Sequence, residues 1–181
     1  RFEPPFMTMK VMWPSGNFQA WDTTKLPEWD QVVDLYKESG KIWPDAWYGD
    51  GQNPSSVGYT SGPDSKDFVK PGSTKWITNH PVLHNADTLG IRPDIIGRPI
   101  DSWIELTNPE FSGRAALVAF PQIGLMDAAM AFQANGEIEY ADKGNMTVEE
   151  IDFSIDRLIQ LKNDGHWRAL WSTFNDSVQL M

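Results

Sequence analysis

Cysteine is absent from the 181 residues, which excludes disulfides, thiolate metal sites and cysteine nucleophiles. That absence suits an oxidising compartment as well as a reducing one, so it does not place the protein. Long apolar runs are missing too: none approaches the roughly 18 residues that a membrane span needs, and direct membrane insertion is not expected. Positive charge is scarce. Fifteen Lys and Arg stand against 25 Asp and Glu, a formal net charge of -10. Such a chain has little with which to neutralise phosphates, and nucleic acid is not an expected partner. "GDGQNPSSVG" is glycine-rich but lacks the Lys-Ser/Thr ending and the following helix of a phosphate loop. "GPDSKD" places a Ser near acids with neither a nucleophile elbow nor a positioned base.

Apolar residues are plentiful. At 40% of the chain they suffice for a buried core, which sets disorder aside, and the length suits one domain or one and a half small lobes. Nine Trp is a high count, and Trp marks flat ligand-holding surfaces as well as cores.

Along the chain, "EWDQVVDLYKESG" carries Trp29, Val32, Val33 and Tyr36 at helical spacing and predicts one helix closed by Gly40. Residues 43–72 read as loop, with a short strand in "SVGYT". "KWITNHPVLHNADTLGIRPD" reads as extended through Val82, Leu83, Leu89 and Ile91. "IDSWIEL" predicts a short helix capped by Asp101 or Ser102. Ala115 to Phe120 reads as a buried strand, "PQIG" as a loop and Leu125 to Gln133 as a helix. Thr147 and Glu150 form a capping box ahead of Ile151, Ile155, Leu158 and Ile159, which predicts a helix ending near Gly165. "WRALW" is a strand, and Asp176 to Met181 opens a last helix. Val178, Leu180 and Met181 leave that helix without a closing cap, and the start is equally abrupt. The chain thus reads as an internal piece of a longer protein.

Strand and helix alternate from Ala115 onward as an α/β unit. Ligands in open α/β sheets sit beyond the carboxyl ends of strands, which singles out Phe120-Pro121-Gln122-Ile123-Gly124. The same five residues also suit a tight βα turn that needs Pro and Gly.

Catalytic and metal sets do not assemble. His80 and His84 flank Pro81, which favours extended backbone, and strand residues four apart lie about 13 Å from each other. A zinc ligand must approach to about 2 Å, so no chelate is expected. His166 follows a helix terminator and reads as a partner of the helix dipole. Glu149, Glu150, Asp152 and Asp156 suit a helix start and its solvated face better than a glycosidase carboxylate pair. No cofactor is implied and no enzymatic activity is expected.

"DTTKLPEWDQV", "DSWIELTNPEFSGRAALV" and "MTVEEIDFSIDRLIQLK" together resemble the extracellular solute-binding proteins of ABC importers, above all the branch that includes spermidine/putrescine-binding proteins. Ser102, Trp103, Leu106, Pro109, Phe111 and Gly113 fill that branch's S-W-x-x-L-x-x-P-x-F/Y-x-G segment in order. Pro81, His84 and Asn85 stand at the Pro, Trp and Gly of its hinge strand.

The resemblance implies an α/β, type II periplasmic-binding-protein-like fold of two lobes joined by a hinge, here incomplete. Residues 1–90 would be the end of the first lobe plus the hinge strand, and residues 91–181 the bulk of the second. It further implies a periplasmic or extracellular location, a small-molecule solute in an interlobe cleft and an ABC permease as membrane partner. Ligand contacts are expected from His84, Asn85 and Asp87 on the hinge side and from Phe120, Gln122 and Asp127 at the βα corner. Phe120 would supply an apolar wall and the others donors and acceptors, with backbone N–H groups from Gln122 to Leu125 offered to an acceptor. Polyamine binders carry acids after this strand, whereas "AFPQIG" stands here. A secreted carbohydrate-active enzyme or carbohydrate-binding module, using Trp platforms, is the alternative that nine Trp and the acidic excess suggest. An interaction-only module is a third.

Overall fold

A computed structural model describes residues 6–37, 54–82, 88–144 and 146–181. The chain forms two compact units, Arg1–Asn85 and Ala86–Met181, and its character is mixed α/β.

The first unit is built mostly from short turns. Helix α1 (Met9–Met12) runs into a 3-10 turn at Trp13–Ser15 that Gly16 closes at φ 75°, a conformation that glycine adopts without strain. Trp21–Asp22 (β1) follows. The single helix expected over residues 28–40 is instead two pieces, a 3-10 turn at Trp29–Gln31 and α2 at Asp34–Lys37. Val32 at ψ 132° is extended and breaks the helical path. The expected cap Gly40 lies outside the described residues.

Tyr59–Thr60 (β2) and Trp76–Ile77 (β3) complete an antiparallel sheet ordered β1-β3-β2. Among the described residues of the segment expected to be extended from Lys75, only β3 is strand; Leu83 lies outside them. Thr78 follows β3, its N–H bonded to the Gly58 carbonyl and its hydroxyl donating to the Val57 carbonyl. Met9, Trp13 and Val57 make the core. The Trp13 indole N–H donates to the Ser65 carbonyl at 3.0 Å, which satisfies the polar end of a side chain otherwise removed from water.

The second unit carries the α/β element. Helix α3 (Pro93–Ile96) ends at Gly97. A 3-10 turn at Trp103–Thr107 is capped by the Ser102 side chain, and another at Pro109–Phe111 by Asn108. Ala115–Val118 (β4) leads into α4 (Pro121–Ala134), then α5 (Val148–Asn163), Trp167–Trp171 (β5) and α6 (Phe174–Leu180). Strands β4 and β5 pair in parallel, so a crossover must join them; α4 and α5 supply it. Helix α4 packs on the Trp103–Thr107 turn, on β4 and on α5. Its buried face is Gly124, Ala128, Ala129, Ala131 and Phe132, mostly small residues that let backbones approach closely.

Both capping boxes are formed, Thr147 with Glu150 and Thr173 with Asp176. The second starts α6 at Phe174, two positions before the expected start. Helix α5 departs further from expectation. Ser154, Leu158 and Leu161 point inward, whereas Ile151, Ile155 and Ile159 form an exposed line. The helix carries two apolar lines, and α4 covers one of them.

Candidate functional site

The corner between β4 and α4 is where a ligand is expected from the sequence. Phe120 holds extended backbone, φ -81° and ψ 115°, and the residue is 52% exposed. The expected loop "PQIG" is instead the first turn of α4. Pro121 occupies the first helical position, where its fixed φ suits the helix and its missing N–H costs nothing. Gly124 sits in that turn because a Cβ there would lie 2.1 Å from the Val118 carbonyl oxygen. The helix is thus pressed onto the strand that feeds it.

This packing alters the expected donor set. The Ile123 and Gly124 N–H groups both bond back to the Phe120 carbonyl, at 3.0 and 2.8 Å, so neither is offered to a ligand. Phe120 and Gln122 are exposed at the corner, and Asp127 lies a turn further into α4, half-buried. His84, Asn85 and Asp87 lie outside the described residues.

Asp127 also lines a cavity of about 620 Å³ within the second unit. The cavity's walls come from β4, Arg168 and Trp171 of β5, α3 and α6. Around it the charges are arranged in pairs. Arg98 grips Glu105 through two bonds, at 2.8 and 2.9 Å, and reaches Glu110 at 2.8 Å. The Arg98 guanidinium, helped by a bond from Asn108, holds the Glu105 carboxyl well below its usual range, at about 2. Arg92 forks onto Asp94 and also donates to the Met181 carbonyl. Arg168 makes one long contact, 3.4 Å to the Leu180 carbonyl. Two arginines thus meet the carboxyl end of α6, where cations answer the helix dipole. Arg114 makes no side-chain hydrogen bond or ion pair with the described residues.

These arginines escaped the reading of the sequence, although a signal existed: "GRAALV" and "WRALW" each set an Arg at the start of a strand. Ala115 stands opposite Trp167, so Arg114 and Arg168 belong to one end of the sheet.

His166 also differs from expectation. It is buried at 3% exposure and bonds through Nε2 to the Leu106 carbonyl at 2.9 Å. It is a core fastener, and the helix dipole is not its main partner. His80 lays its ring against Trp29, centroids 6.2 Å apart. Among the described residues no three His, Asp or Glu side chains converge on a metal position, and no helix is long and apolar enough to cross a membrane. No protein-family model, curated protein or solved structure matches the chain.

Proposed function

We propose that the chain belongs to the solute-binding component of an ABC importer, a non-enzymatic protein of the periplasm or cell surface. It captures a small solute and presents it to a membrane permease. The two-lobed type II fold is part of this proposal. The observation that carries it is the Ser102–Gly113 segment. Its Ser, Trp, Leu, Pro, Phe and Gly stand in the order of the spermidine/putrescine-binding branch, and the segment delivers the chain into a parallel strand followed by a βα corner. Gly113 takes φ 72° there, a left-handed turn that glycine adopts without strain.

Polyamine preference is not part of the reading. Phe120, Pro121 and Gln122 occupy the places where acids would grip ammonium groups. Ligand contact is proposed for Phe120, Gln122 and Asp127 and, on the hinge side, for His84, Asn85 and Asp87.

Native mass spectrometry of the protein purified from its own host tests the reading: a bound small molecule that leaves on denaturation is the expected result. Calorimetry with that solute should then show Gln122→Ala and Asp87→Ala weakening binding by more than about twofold, or 0.4 kcal/mol. Turnover of a glycoside, abolished by replacing one carboxylate, would sink the transport reading in favour of a carbohydrate-active enzyme.

A further inference from the structure

We propose that the cavity of the second unit binds an amphipathic monocarboxylate, with Arg114 as the counter-charge to its carboxylate. The cavity of about 620 Å³ falls within the range of small-molecule sites, about 300–1,000 Å³. Ile96, Ile100, Trp171 and Val178 line it, which suits an apolar body.

The surrounding charges select the sign of the head group. Glu105 and Glu110 are both held by Arg98, and Asp127 is already engaged. Arg92 is held by Asp94, and Arg168 has its long contact with Leu180. Of the lining guanidiniums, Arg114 alone makes no side-chain bond with the described residues, and its planar fork matches a carboxylate with two parallel bonds. Three carboxylates on the same lining disfavour a dianion such as a phosphate monoester. A monoanion pairs with the Arg114 fork and meets less of that repulsion.

The geometry also orients the ligand. Arg114 and Arg168 stand at the amino end of the β4–β5 pair, while Val118 and Trp171 pair at its carboxyl end. From Ala115 to Val118 the strand advances about 10 Å, the reach of a medium-chain tail. The carboxylate sits at Arg114 and the tail runs along the strands toward Trp171.

This inference does not rest on the transport reading, because the cavity lies wholly within residues 88–181. Titration calorimetry on this protein, with decanoate, 1-naphthoate and decyltrimethylammonium kept below their aggregation concentrations, tests it. At least one of the two carboxylates should bind at one per chain and the cation should not. Arg114→Gln should weaken carboxylate binding by about tenfold or more, the worth of a charge-assisted pair. Val178→Glu, a change at an exposed position, should abolish it while the thermal melt stays at wild type. Equal binding of the cation, an unchanged affinity in Arg114→Gln, or no binding of either carboxylate at millimolar concentration would each overturn the proposal.

Discussion

Replacing Gly124 by Ala tests the βα corner directly. The added Cβ would stand 2.1 Å from the Val118 carbonyl oxygen and 3.3 Å from its carbonyl carbon. Both atoms are backbone, so no side chain can swing aside. Ordinary contact begins near 3.4 Å, and the start of α4 must therefore lift by more than about 1 Å. That movement loosens the seams that Leu117, Ala128, Ala131 and Phe132 fill. Overpacking of this kind costs about 3 kcal/mol. Alanine's better helix propensity returns about 1 kcal/mol, which leaves a net loss of about 2 kcal/mol. For a cooperative unit near 100 residues, that lowers Tm by roughly 8–16 °C. Gly62→Ala is the control, since nothing lies within 4 Å of its added carbon and its φ is not positive; it should shift stability by less than about 0.5 kcal/mol. Differential scanning calorimetry of both variants reads the result. An unchanged or raised Tm for Gly124→Ala would mean that propensity outweighs contact and that the corner is not held by close approach.

Leu161→Ala should cost about 2–5 kcal/mol in urea unfolding, because Leu161 is 6% exposed, whereas Ile155→Lys on the outer line of α5 should stay within about 0.5 kcal/mol of wild type. Tyr140→Phe should cost about 1 kcal/mol in the same assay. The Ser154 hydroxyl donates to the Glu150 carbonyl, so the Tyr140 hydroxyl is the donor across the buried 2.6 Å contact. Glu105 is held at about 2 in the fold, against 4.5 ordinarily. Its ion pair with Arg98 therefore stabilises the fold fully above about pH 4.5, and this stabilisation is lost as pH falls toward 2. Glu105→Gln should accordingly flatten the loss of stability between those limits, measured by urea midpoints across pH.

What the sequence made legible was local. Thr147 with Glu150 marks a helix start from four residues alone, and the apolar runs at Ala115 and Trp167 declare strands without help from elsewhere. The misses share one cause: a distant partner decided the outcome. Gly124 reads as a loop residue until the Val118 carbonyl lies against it, and then it is the only residue that fits inside the helix. Ile151, Ile155 and Ile159 look as apolar as Leu158 and Leu161, and only the position of α4 tells which line is covered. The arginine pairs carried a visible pattern, but their meaning depended on the parallel register of two strands some fifty residues apart. At the candidate site, Phe120, Gln122 and Asp127 could be named from topology, whereas the cavity beside Asp127 required α3 and α6 to be in place.

The scaffold role of the Ser102–Gly113 segment follows from how it is fastened. The Leu106 carbonyl can only accept, so His166 must carry its proton on Nε2 to bond there. The carbonyl of that same residue accepts the Gly113 N–H at 2.8 Å. One residue at the entry to β5 thus secures the middle of the segment with its side chain and the end with its backbone. Gly113 can present its N–H because φ 72° turns the chain there, and the Trp167 ring closes edge-on against the imidazole at 4.8 Å. The position at which β4 leaves the turn is therefore set by β5, its own partner in the sheet. Segment and strand pair are tied at these two points before any side chain of the β4–α4 corner is considered. This is how a stretch without nucleophile, metal ligand or phosphate loop contributes: it holds the entry to β4, next to Arg114, against the entry to β5, next to Arg168.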